Sequence, residues 1–277
     1  MTFVVNLRRL LPLLLALILA TGAPAQAQPA QQEYQPQVGQ AGKDVVWVPS
    51  PNVMVEKMLD LARLTPQDYL IDLGSGDGRT VIAAARRGAR AHGIEYDPNL
   101  VELSKRTAAE AGVSDRATFA RADLFASNFS KATVITMFLL PEINLKLRPR
   151  LLDLTAGTRI VSNTFTMGDW QADETASASV DCAGWCTVML WIVPAKAEGT
   201  WRWAEGELTL KQNFQTVSGR LKNAAGTLPV TGRLRGDQIA FAARGAEYTA
   251  KISGASMEGF ARASGQDSKF SASRISQ

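Results

Sequence analysis

The sequence of 277 residues predicts an α/β chain in which a doubly wound parallel sheet ends in an antiparallel hairpin and a small all-β barrel or sandwich follows. Two observations support this fold class. Between residues 44 and 194, short apolar runs alternate with helical patterns, as in parallel sheets whose crossovers are helices. From residue 195 onward, short alternating runs are separated by turn signals about every 8–12 residues, which is typical of antiparallel barrels and sandwiches.

The amino terminus has the composition of a signal peptide, which we assign to residues 1–27. Arg8 and Arg9 supply a positive charge, an apolar stretch follows, and Ala25-Gln26-Ala27 forms a small-x-small cleavage site. We therefore expect export, most simply to the periplasm, with an uncleaved membrane anchor as the alternative. Residues 28–43 are rich in Gln and Pro and are expected to form a disordered linker.

The most informative motif follows the first predicted strand, where residues 72–78 read Asp-Leu-Gly-Ser-Gly-Asp-Gly. Glycines at alternate positions allow a tight turn and a close approach of the backbone to a ligand. The helix that begins near Arg79 directs its free N–H groups toward the same place. A glycine loop between a strand and a helix predicts a nucleotide-type cofactor site at the carboxyl end of the sheet, as in Rossmann-like folds.

Two further acidic residues fall at the ends of the next strands. Glu95 ends the second strand, 17 residues after Gly78 and near the spacing at which a carboxylate accepts hydrogen bonds from ribose hydroxyls. Asp123 follows the third strand. The plainer interpretation is that both are turn residues, but three signals in order favour a cofactor site. The Gly-x-Gly-x-Gly spacing disfavours an NAD-linked oxidoreductase, whose fingerprint is Gly-x-Gly-x-x-Gly.

These motifs resemble those of class I S-adenosylmethionine (SAM) methyltransferases. Further segments of the sequence indicate one family among these enzymes. Five segments look like those of the protein-lysine N-methyltransferases that include the mitochondrial enzymes acting on the ATP-synthase c-subunit and the adenine nucleotide carrier. The segments are residues 48–59, 136–142 and 159–165, Gly168-Asp169-Trp170 and Leu190-Trp191. The resemblance covers residues 44–193. Asn163 departs from it, since histidine is expected there in many bacterial relatives.

The resemblance implies a methyltransferase that uses SAM and a nitrogen acceptor, most simply a protein lysine, with no nucleic-acid partner. It implies cofactor binding by residues of the glycine loop, the segment before the first helix and the ends of strands two and three: Pro49, Ser50, Asp72, Gly74, Ser75, Gly76, Asp77, Gly78, Glu95, Tyr96, Asp123 and Leu124. A second hypothesis is an exported SAM-fold protein that binds its ligand without turnover and acts as an envelope-interaction module.

The acceptor is expected beside the fourth strand, where this fold places it. Candidates for its pocket are Phe138, Leu139, Leu140, Pro141 and Trp170, and the alternative is that they are core residues. No general base is evident. His92 is the single histidine and lies within the second strand, which excludes a Ser-His-Asp hydrolase and a multi-histidine metal site. We expect no metal ion.

The sheet is predicted to end in a hairpin of residues 177–182 and 187–193. Cys182 and Cys186 would face one another across its turn, and export would favour a disulfide between them.

The following module, residues 195–277, is similar to lipocalin-like modules of exported bacterial enzymes. It carries 12 Lys or Arg and 7 Asp or Glu, a net charge of +5, whereas residues 28–194 sum to −3. The basic charge predicts weak association with an anionic envelope surface, or simply a solvated barrel exterior.

Overall fold

A computed structural model of the protein describes residues 34–204, 206–224 and 226–276. The predicted signal peptide lies outside the described residues, as do residues 28–33 of the predicted linker. Among the helices that are described, none combines the length and the apolarity needed to cross a lipid bilayer.

The first part of the chain forms one seven-stranded sheet with helices on both faces, in the order β3-β2-β1-β4-β5-β7-β6. The first five strands are parallel, and β7 and β6 are antiparallel additions at one edge. This confirms the predicted doubly wound sheet with a terminal hairpin. The elements are α1 (Asn52–Leu61), β1 (Tyr69–Leu73), α2 (Arg79–Arg86), β2 (Arg90–Glu95), α3 (Pro98–Glu110), β3 (Ala117–Arg121), β4 (Val134–Met137), α4 (Pro141–Leu152), β5 (Arg159–Asn163), β6 (Glu174–Ser177) and β7 (Thr187–Ile192).

Each face of the sheet has its own apolar core. Met54, Met58 and Leu59 of α1 are buried on one face, and Leu147 and Leu151 of α4 are buried on the other. Apolar side chains at three- and four-residue spacing give each helix one apolar stripe, so the sequence pattern alone determines which side packs on the sheet. The glycine loop begins at the carboxyl end of β1, the strand that lies between these two cores.

The predicted first strand of the hairpin was placed wrongly. The structure has a strand at Glu174–Ser177, and residues 178–186 form a loop instead. Asp181, Ala183 and Gly184 in this loop have positive φ angles of 56°, 49° and 85°. That backbone conformation is incompatible with an extended strand, and the Cys182–Cys186 disulfide closes the loop with 4.9 Å between the two Cα atoms. The bond that the sequence analysis expects only in an exported protein is thus present in the structure.

The second part of the chain is a closed antiparallel barrel of eight strands, so the barrel, and not the sandwich, is the correct alternative. Its interior is filled by side chains that include Trp201, Leu208 and Leu234. The first and last strands pair with each other and close the barrel. The strands are β8 (Gly199–Trp203), β9 (Gly206–Asn213), β10 (Thr216–Asn223), β11 (Gly226–Arg235), β12 (Gln238–Ala243), β13 (Ala246–Ser253), β14 (Ser256–Ala263) and β15 (Gln266–Ser276).

The barrel packs on the segment that connects β5 to β6. Phe214, in the turn between β9 and β10, stacks on Trp170 with 5.9 Å between ring centroids. Arg233 of β11 donates a hydrogen bond of 2.7 Å to the buried carboxylate of Asp173. Gln215 donates one of 2.7 Å to the carbonyl of Gln171. Because these contacts include fully buried groups, the barrel is part of the packing of the sheet domain at this edge.

Residues 34–43, which were expected to be disordered, are ordered in the structure. The amide of Gly39 donates to the carbonyl of Trp47, and the amide of Trp47 donates to the carbonyl of Gln40, each at 2.9 Å. The low apolar content of this stretch is offset by contacts with the sheet domain. Residues 39–48, here called the strap, lie across the carboxyl edge of the sheet.

Candidate functional site

Two adjoining cavities lie at the carboxyl ends of the parallel strands, beneath the strap. The larger, of about 360 Å³, is bounded by the ends of β2 and β3, and the smaller, of about 40 Å³, by the glycine loop and the start of α1. Trp47, Val48, Gly74 and Phe138 line both. This position, outside the carboxyl ends of the strands, is where open α/β sheets bind their ligands.

The structure brings eleven of the twelve predicted cofactor residues to these cavities. The larger cavity is lined by Gly74, Glu95, Tyr96, Asp123 and Leu124. The smaller is lined by Pro49, Ser50, Asp72, Gly74, Ser75, Gly76 and Asp77. Gly78 is the exception: it precedes α2 with φ 81°, and a Cβ there would lie 2.7 Å from Ser104 Oγ. Its missing side chain lets the helix pack closely against its neighbours.

Gly76 sits directly under the strap. Its φ is 55°, and a Cβ at this position would lie 2.6 Å from Nε1 of Trp47. The close approach of the indole to the loop therefore requires glycine. A side chain here would displace Trp47 and intrude into the wall of the smaller cavity.

Glu95 holds the glycine loop to the end of β2. Its Oε2 accepts a hydrogen bond of 2.8 Å from the amide of Gly76, and its Oε1 accepts from the amides of Tyr96 and Asp97 at 2.7 and 2.9 Å. Three amide donors on one carboxylate fix its position in the cavity wall. Glu95, which the sequence predicts to accept hydrogen bonds from a ribose, therefore also holds the glycine loop in position.

Asp72 is a buried carboxylate in the wall of the smaller cavity. It accepts a hydrogen bond of 2.6 Å from Thr136 Oγ1 and is 5% exposed. Burial raises its pKa to about 7, and the negative charges of Glu95 and Asp77 add to this rise, while the bond from Thr136 opposes it. A cation placed in this cavity would stabilise the ionised form of Asp72.

Asp123 is paired with a residue of the strap. Lys43 Nζ lies 2.8 Å from its Oδ2 and 5.3 Å from the centroid of the Tyr96 ring. The hydrogen bond from Lys43, followed by one from the amide of Phe125, lowers the pKa of Asp123. Sequence reasoning missed Lys43 because it assigned the residue to the linker; a lone lysine in a Gln- and Pro-rich stretch carries no signal of this contact.

The predicted acceptor residues divide into two groups. Phe138 lines both cavities and Leu139 lines the larger. Leu140 is 37% exposed and Pro141 begins α4, and neither borders a cavity. For Trp170 the structure selects the alternative of a core residue: it is 1% exposed and lies between Trp191 and Phe214.

Two aromatic residues that sequence reasoning missed lie beside Phe138. The ring of Phe165, just after β5, is 5.8 Å from that of Phe138, and the ring of Trp185, in the disulfide loop, is 5.5 Å from it. An aromatic residue directly after a strand end was the available signal for Phe165. No such signal marks Trp185 in the sequence, because the position of this residue depends on the course of the disulfide loop.

Two residues singled out from the sequence lie outside the cavity walls. Asn163 is fully buried at the end of β5 and donates to Ser50 Oγ at 3.4 Å, so it supports a residue that lines the smaller cavity. His92 is a strand residue, as predicted, with Nδ1 2.9 Å from Thr118 Oγ1. Burial lowers its pKa.

Comparison with known proteins agrees with this geometry. The family described as the ANTKMT methyltransferase domain matches residues 72–174, which contain the glycine loop, Glu95 and Asp123. A protein-lysine N-methyltransferase of Saccharolobus islandicus is 37% identical over 133 residues, which are 47% of this chain and 83% of that protein. The chain belongs to the ANTKMT methyltransferase family. The resemblance seen in the sequence is therefore confirmed.

Two other similar proteins are methyltransferases as well. The ATP-synthase c-subunit lysine N-methyltransferase of Mus musculus is 35% identical over 136 residues, 49% of this chain and 55% of that protein. A structure described as an RNA methyltransferase from Salinibacter ruber with S-adenosyl-L-homocysteine is 48% identical, with a TM-score of 0.51, and covers 54% of this chain and 95% of that one. The chain spans just over half the length of the mouse protein.

SAM is accordingly the cofactor, and the residues present suit it. A Cβ at Gly74 or Gly76 would crowd Leu139 or Trp47, so the loop requires glycine at both positions. With a pKa of about 7, Asp72 is partly protonated in the free protein, and a positively charged group of the ligand would stabilise its ionised form. Glu95 and Asp123 offer carboxylate acceptors in the larger cavity. When bound, SAM supplies an electrophilic methyl group on a sulfonium. The protein is a SAM-dependent methyltransferase.

Proposed function

We propose that the protein transfers the methyl group to the side-chain amine of a lysine in a protein acceptor. The observation that carries this proposal is the apolar pair Phe138 and Leu139, which forms the cavity wall directly after β4. An apolar wall suits the four-carbon stem of lysine. The Saccharolobus and mouse relatives, both named as lysine N-methyltransferases, support it.

Methyl transfer requires little of the protein beyond placing the acceptor nitrogen in line with the methyl group of the cofactor. Methyl transfer to an amine needs a neutral nitrogen, and an apolar pocket lowers the pKa of an ammonium by disfavouring its charged form. Phe138 and Leu139 would contribute this desolvation and would exclude water from the reacting nitrogen. The remaining contribution is alignment of the acceptor with the cofactor.

We place the adenosine part of the cofactor in the larger cavity and its amino-acid part in the smaller. Glu95 would accept hydrogen bonds from the ribose and Asp123 from the adenine amino group. Asp72 would pair with the α-ammonium group, since its carboxylate lacks a cationic partner in the described structure. In this arrangement Phe138, which lines both cavities, would lie nearest the methyl group.

RNA is the competing acceptor, since the Salinibacter structure is described as an RNA methyltransferase. Charge argues against it here. Residues 28–194 carry a net charge of −3. Acidic residues outnumber basic ones in the cavity walls, which contain Asp44, Asp72, Asp77, Glu95, Asp97 and Asp123 against Lys43 and Arg79. Proteins that bind nucleic acid by its phosphates present Lys and Arg instead.

Labelling of a total bacterial extract tests the acceptor class. Purified protein, the extract and tritiated SAM should give protease-sensitive label that is recovered as methyl-lysine after acid hydrolysis. The Gly76→Val variant is the control, because it should lack cofactor. Label removed by ribonuclease, or recovered in another amino acid, would refute the proposal. Intact SAM binding without any label would favour the hypothesis of a binding protein without turnover.

We also propose that the protein acts outside the cytosol. The composition of residues 1–27 supports this, as does the Cys182–Cys186 disulfide, because such bonds persist in oxidising compartments. Cell fractionation with amino-terminal sequencing should find a periplasmic protein that begins at Gln28. A full-length cytosolic product would contradict it.

A further inference from the structure

Three aromatic side chains cluster at the carboxyl edge of the sheet, next to the cavities. Phe138 follows β4, Phe165 follows β5, and Trp185 lies in the disulfide loop before β7. Their ring centroids are 5.5–5.8 Å apart in all three pairings. We call this set the aromatic wall.

The wall is continuous with the cofactor site and open to solvent. Phe138 belongs both to the wall and to the lining of the two cavities. All three residues are half-buried, whereas Trp170 and Trp191 of the nearby core are fully buried. The exposed parts of these rings border the cofactor site, so they are accessible to an acceptor that approaches the cavities.

The chain holds the two missed members of the wall by unusual backbone. Phe165 follows Thr164, whose φ is 63°, and its amide donates to the carbonyl of Asn163 at 2.7 Å. Trp185 is held in the loop closed by the disulfide, and its amide donates to the carbonyl of Cys182 at 2.8 Å. The left-handed conformation of Thr164 and the closed disulfide loop therefore fix where the two rings lie.

We propose that the aromatic wall is the recognition site for the acceptor's alkylammonium group, with Trp185 as a specificity-determining residue. Aromatic faces attract cations, tryptophan most strongly, so a protonated lysine would be bound at Trp185. It would release its proton to solvent water there, and the neutral amine would then enter the apolar pocket beside Phe138. This inference rests on the proposed function for its biological meaning, but the binding it describes can be measured separately.

The test uses the full mature protein saturated with S-adenosylhomocysteine and follows its indole N–H resonances by NMR. The Trp185 signal is assigned by its loss in Trp185→Phe. The probes are N-acetyl-lysine methylamide and N-acetyl-norleucine methylamide, an uncharged analogue that keeps the four-carbon stem and lacks the ammonium group. The lysine probe should shift the Trp185 signal in a saturable way, and the norleucine probe should bind about fivefold more weakly or not at all.

Two variants then test the wall itself. Trp185→Leu keeps an apolar side chain but lacks an aromatic face, and should weaken the lysine probe about fivefold while calorimetric affinity for S-adenosylhomocysteine is unchanged. Trp185→Phe should restore most of the binding. The control, Trp203→Leu, alters a half-buried tryptophan in the barrel and should have no effect on the probe.

The remaining outcomes distinguish the inference about the aromatic wall from the proposed function. Equal binding of both probes, or a short oligoribonucleotide that shifts the Trp185 signal in their place, would overturn the inference. Lysine methylation that is insensitive to Trp185→Leu would overturn it too, while the proposed function would stand. Saturable lysine binding at Trp185 in a protein that methylates no lysine would support the wall and refute the proposed function.

Discussion

Cofactor affinity should depend on pH through Asp72. Its pKa lies near 7 instead of 3.8, chiefly because it is buried, and the charges of Glu95 and Asp77 add to the effect. If Asp72 pairs with the α-ammonium group of the ligand, it must be ionised in the complex. Binding below neutral pH would therefore release a proton, and affinity would rise with pH until Asp72 is ionised in the free protein as well.

The size of the effect follows from the pKa. With a value of about 7, roughly a tenth of Asp72 is ionised at about pH 6 and roughly three quarters at about pH 7.5, so affinity should increase about eightfold between them. Stability of the free protein should change in the opposite direction. The folded state keeps a proton that the unfolded chain loses above 3.8, so stability falls as pH rises toward 7, by about 4 kcal/mol at most.

Isothermal titration with S-adenosylhomocysteine measures the affinity. Repeating the titration in buffers of different ionisation enthalpy shows whether a proton is released on binding. Urea unfolding measures the stability of the free protein. Asp72→Asn should bind with a pH-independent affinity and, without ligand, should be more stable than the native protein above pH 7. Asp115→Asn, an exposed control, should keep the native slope. A flat native profile, or the same slope in Asp72→Asn, would refute the reasoning. A slope lost only in His92→Gln would assign the proton to the imidazole.

Three other substitutions test the remaining structure. Gly76→Val should abolish SAM binding in calorimetry because its side chain would displace Trp47, and retained affinity would contradict the site. Lys43→Met should speed hydrogen exchange of the strap amides while changing SAM affinity less than about fivefold, because solvent-exposed ion pairs contribute little; unchanged exchange would show that the pair does not hold the strap. Phe214→Ala should lower the free energy of unfolding in urea by about 2 kcal/mol, since it uncovers Trp170. Phe260→Ala, at an exposed barrel position, is its control, and equal losses would argue against an interface role.

The sequence predicted the glycine loop, Glu95 and Asp123 because each lies in a local pattern. A strand end, a turn and a helix start are read within about ten residues, and parallel strands bring their carboxyl ends to one edge. Nothing beyond that local information is needed to place Asp72 beside Gly74. The same holds for the barrel, whose alternating runs and turn residues are also local.

The missed or misplaced residues depend on contacts between distant parts of the chain. Lys43 meets Asp123 across 80 residues, and Trp170 is buried by Phe214 from the barrel. A Gly-Asp-Trp turn after a strand fits a pocket wall or a core position equally well until the barrel is docked. Trp185 is positioned by a loop whose positive φ angles have no signal in the sequence beyond one glycine.

The closed barrel has a consequence for how the protein folds. Its first strand, β8, pairs with its last, β15, so Trp201 and Arg274 become neighbours although they lie at opposite ends of the module's sequence. Pairings at such separation form slowly, because the closure entropy must be overcome before any contact is gained. During synthesis, β8 and the newest strand expose unpaired edges until β15 is available. Loss of β15 would make those edges permanent and would leave the module open to association by strand addition.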